Sequence, residues 1–475
     1  MNRIFFICCL LFSACSQPSH ETTDQPEEKP NFVIFLCDDL GYGDLSGYGH
    51  PVIKTPHLDQ LATEGIRFSS FYAAAPVCSP SRAGLMTGKI PDRTGIYDWI
   101  PNNHVMHLQE EETTLADYLR QAGYQTAMFG KWHLNGKFNQ PEQPQPGDHG
   151  FDYWMATQNN AAPSHENPHN FVRNGQEVGA LEGFSCQLVV DEAIRWLQNE
   201  RDSTKQFFHY IPFHEPHEPV ASPDSLVQQY MPLAENEDEA QYFANVANMD
   251  AAVGRYLAAL EAMGLAENTL VLFTSDNGPE TLNRYPRANR SYGSPGDLRG
   301  MKLHIYEGGI RVPGIIRWPG VIQAGTTSDV PVSSLDLLPT LCAIAGIDES
   351  AIQALDGMNV LPLLTTGQSV ARIKPLYWHY IKAIGGPTTA MRSGSLKIVG
   401  SNQLGPLEER LFDQGYIDTL QQEEIIRYEL YNLPEDTEET KDLSTSRKNI
   451  ADSLAAQLQQ RFNEIQENAV RWEIK

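Results

Sequence analysis

Four stretches of the chain share one pattern: a short, unbroken apolar run that stops at a polar cluster. NFVIFLCDDLGYGD is apolar from Phe32 to Cys37 and then reads Asp38-Asp39. TLVLFTSDNG is apolar from Leu270 to Phe273 and ends at Asp276-Asn277-Gly278. YQTAMFGKWH ends at Lys131 and His133, and FFHYIPFHEPH ends at His214 and His217. Runs this short and continuous predict strands buried on both faces, as in a parallel sheet. Helical patterns separate them. TTLADYLRQAGY precedes the Lys131 run with Gly123 as its stop, LVVDEAIRWLQ precedes the His217 run, and a long pattern from Ala240 to Gly264 precedes the Asp276 run. The alternation predicts an α/β fold with a large, mostly parallel sheet flanked by helices. Ligands of such sheets bind beyond the carboxyl ends of the strands. All four polar clusters are therefore expected on one edge.

The pattern changes near Lys374. LYWHYIK, TTAMRSGSLKIVG and ELYNLPEDTEETKDL read as short antiparallel strands, followed by a helix, NIADSLAAQLQQRFNEIQ. We expect a catalytic domain over residues 31–373 and a smaller C-terminal α+β domain with an antiparallel sheet over 374–475. The acidic run LPEDTEETKD is expected to be a solvated loop. At the other end, MNRIFFICCLLFSAC has a basic residue, an apolar run too short for a stable membrane span, then Ser13-Ala14-Cys15. This predicts a signal peptide over 1–15, its ending similar to a bacterial lipoprotein cleavage site with lipid on Cys15. Residues 16–30 are polar and read as a flexible tether. The expectation is an exported protein, periplasmic or anchored as a lipoprotein at the cell envelope.

Composition adds one constraint. Of 475 residues, 35 are Lys or Arg and 60 are Asp or Glu, a formal charge of −25. Such a surface repels nucleic acid and anionic membranes. An anionic substrate would need a locally positive site against that background. Outside the signal there are four cysteines, Cys37, Cys78, Cys186 and Cys342, too scattered to suggest a disulfide framework. Cys37, in a strand, and Cys342, in a helix, read as small core residues.

Asp38, Asp39, Asp276 and Asn277 offer only oxygen. Two strand ends, each with two adjacent oxygen donors, suit a hard divalent cation. Arg82, Lys131, His133, His217 and Lys302 form a basic set expected around the same edge. Together they resemble what phosphoryl or sulfuryl transfer needs: cations around a tetrahedral oxyanion and imidazoles to move protons. In PVCSPSRAGLMTGK, Ser79 is the expected N-cap, Pro80 the first helical residue and Gly88 the stop. Cys78 then precedes a helix N-terminus, where an anion is favoured. A thiolate is nevertheless a poor partner for an ion held by hard oxygens. Either Cys78 is peripheral, or the working group at position 78 is not sulfur.

CSPSRAGLMTGK resembles the signature of the type I sulfatases, enzymes of the alkaline phosphatase superfamily. PNFVIFLCDDLGYGDL, GKWH, FHEPH, SDNG and KLHIYEGGIRVP resemble that family's other motifs, in the family's order, from about Asn31 to Gly320. The resemblance implies an alkaline phosphatase-like fold and sulfate ester hydrolysis. It implies that a separate formylglycine-generating enzyme oxidises Cys78 to Cα-formylglycine, whose hydrate supplies the missing oxygen. One hydroxyl would attack sulfur, and loss of the other's proton would expel sulfate. One Ca²⁺ per chain would be bound by Asp38, Asp39, Asp276, Asn277 and the residue-78 oxygen. Arg82 and Lys131 would orient the hydrate, and His133 would take its proton. His217 and Lys302 would hold the sulfate, with His217 also protonating the leaving group and His214 lining the pocket.

The leaving alcohol would be read by three polar, aromatic-bearing loops, Asp98–Leu108, Thr157–Asn170 and Asn283–Gly293. Their composition suits a sugar, so the expected substrate is a sulfated glycan attacked at a terminal residue. Two alternatives stand beside it: a phosphoester or phosphonate hydrolase of the same superfamily, and a non-catalytic glycan-binding protein.

Overall fold

A computed structural model describes residues 29–353, 355–403 and 424–472. The expected signal, Cys15 and most of the tether lie outside them. Eleven strands form one sheet: β1 (Asn31–Asp38), β2 (Ile66–Tyr72), β3 (Gln125–Lys131), β4 (Tyr153–Thr157), β5 (Val172–Arg173), β6 (Gln176–Glu177), β7 (Phe207–Pro216), β8 (Thr269–Ser275), β9 (Arg311–Arg317), β10 (Thr326–Ser328) and β11 (Val332–Ser333). Their lateral order is β10-β2-β9-β8-β1-β7-β3-β4-β5-β6, with β11 beside β2. The centre, β8-β1-β7-β3-β4, is parallel throughout. β9 is antiparallel to both β8 and β2, and β4-β5-β6 is antiparallel at the far edge.

Why the apolar runs are unbroken is visible in β1. Side chains alternate across a strand. Phe32, Ile34 and Leu36 enter one hydrophobic core, and Val33, Phe35 and Cys37 enter another on the opposite face. The helices Ser185–Asn199 and Glu237–Ala262 cover the second face. Register is tight: Phe35 lies opposite Ile211 of β7 and Phe273 of β8. Cys37, Cys186 and Cys342 are buried free thiols.

The C-terminal segment forms a second, four-stranded antiparallel sheet: β12 (Leu376–His379), β13 (Thr389–Ser393), β14 (Leu396–Asn402) and β15 (Ile425–Asn432). The helix Lys448–Glu467 packs on it through Leu454, Leu458, Phe462 and neighbours. One expectation fails here. The acidic run after β15 is not simply a solvated loop, because Glu439 is fully buried with φ 52°. Lys397 of β14, itself 0% exposed, lies 2.9 Å from both Glu439 and Glu307. Glu439 also accepts the Glu307 N–H at 2.7 Å. A buried charge needs such partners, and this one ties the second sheet to the segment that follows Lys302.

Candidate active site

Because β8, β1, β7 and β3 are parallel neighbours, their carboxyl ends open together. That edge gathers Asp38, Asp39, Lys131, His133, His217, Asp276 and Asn277. Asp39 and His133 turn out of their strands with φ 65° and 55°, a left-handed backbone that non-glycine residues adopt mainly at turns and functional sites.

The helix Cys78–Thr87 brings Cys78 and Arg82, and all ten of its residues are buried. Its start differs from expectation. Val77, in extended backbone, is the N-cap, Cys78 is the first helical residue, and no side chain caps the turn. The Ser79 hydroxyl instead accepts the Ile100 N–H at 3.1 Å, tying the helix to the Asp98–Leu108 loop. Gly88 ends the helix as expected, with φ 66° and its N–H on the Gly84 carbonyl.

The charges interlock. Arg82 donates to one Asp276 oxygen from Nε at 3.0 Å and Nη2 at 2.7 Å, and to the Lys131 carbonyl at 3.0 Å. Lys131 Nζ lies 2.6 Å from Asp38, and Lys302 Nζ lies 2.7 Å from Asp39. Asp39 receives the Asn277 amide at 2.7 Å, and His217 Nε2 stands 3.5 Å from its carboxylate. Arg82 and Lys131 are 0% exposed and do not line the open cavity; His133, His217 and Lys302 do. The basic set is thus two layers, one clamping the carboxylates and one facing the substrate space. His214 corrects a second expectation. It is buried away from the cavity, bonded to Thr157 Oγ1 at 2.7 Å and packed on Phe171.

Protonation follows from these contacts. Burial would raise the Asp38 carboxyl, but Lys131, His217, Arg82 and Lys302 hold it well below the carboxylate range. At Asp276 burial outweighs Arg82, and the carboxyl rises to about 7. Burial and Lys302 oppose an imidazolium at His217, yet Asp39, Glu218 and Asp38 outweigh them and raise it to about 9. His133 goes the other way: burial, then Lys131 and Arg82, push it well below the imidazole range. One histidine is therefore a proton donor at neutral pH and the other an acceptor. Burial pushes the Cys78 thiol up to about 11, against the pull of Lys131 and Lys302.

The oxygen set fits a hard cation. Asp38 Oδ1 and Asn277 Oδ1 are buried and accept no hydrogen bond; Arg82 Nη2 stands 3.4 Å from Asp38 Oδ1 without bonding it, and nothing positive among the described residues meets Asn277 Oδ1, so both oxygens remain available to a cation. Asp38, Asp39 and His217 also present ligand atoms within 4.8 Å of one another. A protonated His217 repels a cation, so Asn277 and Asp276 complete the set better, and oxygen-only ligands favour Ca²⁺ or Mg²⁺.

Above this layer opens a cavity of about 950 Å³. Cys78 lies in its wall, and each expected loop contributes: Trp99 from the first, Asn159 and Asn160 from the second, Arg284, Tyr285 and Arg287 from the third. The sequence reading missed Glu218, Tyr380 and Lys382. Glu218 lies 2.8 Å from His217 Nδ1. Tyr380 and Lys382 reach the wall from the segment after β12 and both bind Asp98, at 2.7 and 2.9 Å. Nothing in LYWHYIK marks them, because they continue an apolar strand pattern; Gly385-Gly386 is the only local sign of a turn.

Comparison with known proteins agrees with this geometry. Residues 30–347 match the family Sulfatase. Arylsulfatase A of Homo sapiens is 38% identical over 395 residues, covering 78% of this chain and 74% of that protein. N-acetylgalactosamine-6-sulfatase of Canis lupus familiaris is 33% identical over 375 residues, covering 74% and 69%. The crystal structure of Ps i-CgsB in complex with k-i-k-neocarrahexaose superposes with a TM-score of 0.79 at 26% identity, over 94% of this chain and 95% of that one.

Proposed function

This chain belongs to the sulfatase family and is a sulfuric ester hydrolase, and from that premise we propose that it desulfates a glycan through an oxidised Cys78 and a bound Ca²⁺. The observation that carries the reading is the pairing of a buried oxygen set, two of whose oxygens accept no hydrogen bond, with a buried Cys78 whose thiol is held protonated. A protonated thiol is a poor nucleophile, and soft sulfur is a poor ligand for that set; an oxygen at position 78 answers both.

The bound cation would supply fixed positive charge for sulfate oxygens, and formylglycine at position 78 would supply the oxygen nucleophile. Asp38, Asp39, Asp276 and Asn277 would hold the cation. Arg82 and Lys131 fix Asp276 and Asp38 and screen their charge. Lys302 faces the cavity and binds the sulfate, a charge-assisted contact in a desolvated site. His217, kept protonated by Asp39 and Glu218, donates its proton to the departing alkoxide. His133, kept neutral, accepts the proton released when sulfate leaves. The oxidation of Cys78 is the work of a separate maturation enzyme.

A sugar is supported as the leaving group. Trp99, 43% exposed, offers a ring face in a cavity wall that also holds Tyr285 and the Asn159 and Asn160 amides, whose Oδ1 atoms accept no hydrogen bond, the mixture of apolar surface and polar groups that carbohydrate needs. The similarity to N-acetylgalactosamine-6-sulfatase and to Ps i-CgsB in complex with k-i-k-neocarrahexaose points the same way. The N-terminal residues 1–15 would export the chain, with Cys15 as a lipid anchor at the cell envelope. No helix among the described residues is long and apolar enough to cross a membrane.

The test is release of inorganic sulfate by the matured chain from sulfated oligosaccharides, beside release of phosphate from matched phosphoesters and phosphonates. Sulfate release that disappears in Cys78→Ala is expected. Faster phosphate release would favour the phosphoester hydrolase reading, and turnover that survives Cys78→Ala would remove residue 78 from the reaction.

A further inference from the structure

Five side chains that are cationic at neutral pH line the cavity: His217, Lys302, Arg284, Arg287 and Lys382. Four are already matched. Lys302 lies 2.7 Å from Asp39, His217 lies 2.8 Å from Glu218, and Lys382 lies 2.9 Å from Asp98. Arg284 grips both oxygens of Glu280 at 2.7 Å. Arg287 alone pairs with no carboxylate of the described residues, in a chain with 60 acidic residues to 35 basic ones.

Nor is Arg287 carried on an unanchored loop. Ala288 beside it is fully buried, the Asn283 N–H bonds the Ala288 carbonyl at 2.9 Å, and Arg290 holds Asp238 at 2.7 Å. The backbone is fixed while the Arg287 side chain, exposed in the cavity wall, has no carboxylate partner among the described residues. Lys302 and His217, the groups assigned to the scissile sulfate, sit on other segments and are tied to Asp39 and Glu218. A second positive site is left over after the reaction's own needs are met.

We propose that Arg287 determines specificity by binding a second anion on the same glycan, either a uronic acid carboxylate or a second sulfate. A planar guanidinium presents two parallel N–H groups that match either oxyanion. The inference rests on the reading of this cavity as a glycan sulfatase site, and it narrows the substrate to a doubly charged saccharide.

The experiment uses the full matured chain and three disaccharides that share one scissile sulfate: one with no other anion, one with an added carboxylate, one with an added second sulfate. At least one doubly charged probe should be favoured about tenfold in kcat/KM, as expected for a hydrogen bond to a charged group, with the gain in KM. Arg287→Gln should bring that ratio to about one, and Arg287→Lys should keep part of it. The two doubly charged arms identify which anion is read. A wild-type ratio near one in both arms overturns the proposal, as does an Arg287→Gln loss shared equally by all three probes. Failure of the underlying reading looks different, with no sulfate released from any probe or from an aryl sulfate. Calorimetric titration of the Cys78→Ala chain with the same probes then decides: a binding preference that depends on Arg287 supports the proposal, and its absence overturns it.

Discussion

Cys78 is a thiol where a thiolate is disfavoured: buried, and raised to about 11 despite two lysines nearby. The histidines are better matched to their work. With His217 raised by carboxylates, to about 9 in the metal-free chain, and His133 held neutral by burial and cations, sulfate release should fall in alkaline solution as His217 loses its proton, at a pH that a cation on Asp38 and Asp39 sets below the metal-free value. His217→Gln should lower kcat by about 10²–10⁴ and flatten that alkaline limb; an unchanged limb would assign the proton to another group. At this scale the sequence is most legible where a polar residue directly follows an apolar run, as at Asp38, Asp39, Asp276 and Asn277. Depth is not legible. Arg82 and Lys131 read like His133 and Lys302 in a list of basic residues, yet two are sealed beneath the cavity and two face it. Tyr380 escapes notice because its partner, Asp98, is distant in sequence, and Glu218 because adjacency alone does not show that its carboxylate turns back onto His217.

Elements place those residues through close backbone contact. β3 passes β7 at Gly130, which has φ 128°, and a Cβ there would stand 1.9 Å from the Pro212 carbonyl oxygen. Gly130→Ala should therefore destabilise the fold by about 2–4 kcal/mol through strain and clash. It should also reduce turnover in the folded fraction, because Lys131 is the next residue. Urea unfolding with parallel kinetics checks both, and a variant of native stability would show that β3 can shift freely. The four central strands and the helices between them are legible because both sheet faces are apolar and the periods are long. The start of the Cys78 helix is not. Ser-Pro resembles a cap followed by a first turn, but Ser79 is spent on Ile100 and the helix begins inside the protein.

Across the whole molecule, the second sheet is joined to the first by charge buried at Lys397, Glu307 and Glu439. Lys397→Ala would leave Glu439 without its buried cation and Glu307 with only Arg311 and the Tyr72 hydroxyl among the described residues, and should destabilise the protein by about 3–5 kcal/mol, read as a lowered urea midpoint; a shift below about 1 kcal/mol would mean the sheets hold by apolar contact alone. The acidic run that contains Glu439 reads as surface because composition does not reveal a lysine waiting in β14. Protonation also sets the stability of metal-free protein. The raised carboxyl of Asp276, about 7, and the raised His217, about 9, make the native state bind more protons than the unfolded chain. Their stabilisation is complete below the unfolded pKa values and is lost as pH rises through the folded ones. Asp38, lowered, acts oppositely and only in acid, where its stabilisation is lost as pH falls. Buried histidines held neutral, His133, His209 and His214 among them, act oppositely and cost stability near pH 6, so the His217 contribution is read by difference: from pH 6 to pH 9 the melting temperature of chelated protein should move further down, or less far up, than that of chelated His217→Gln protein, and Ca²⁺ should raise the melting temperature more at pH 9, where it meets less competition from protons. Equal or absent gains would contradict a cation at the oxygen set. The most direct test of the whole account is peptide mass spectrometry across residues 78–82 of catalytically active chain. We predict a residue 78 lighter than cysteine by about 18 Da, the mass change of thiol-to-aldehyde conversion; active protein carrying only unmodified Cys78 would contradict it.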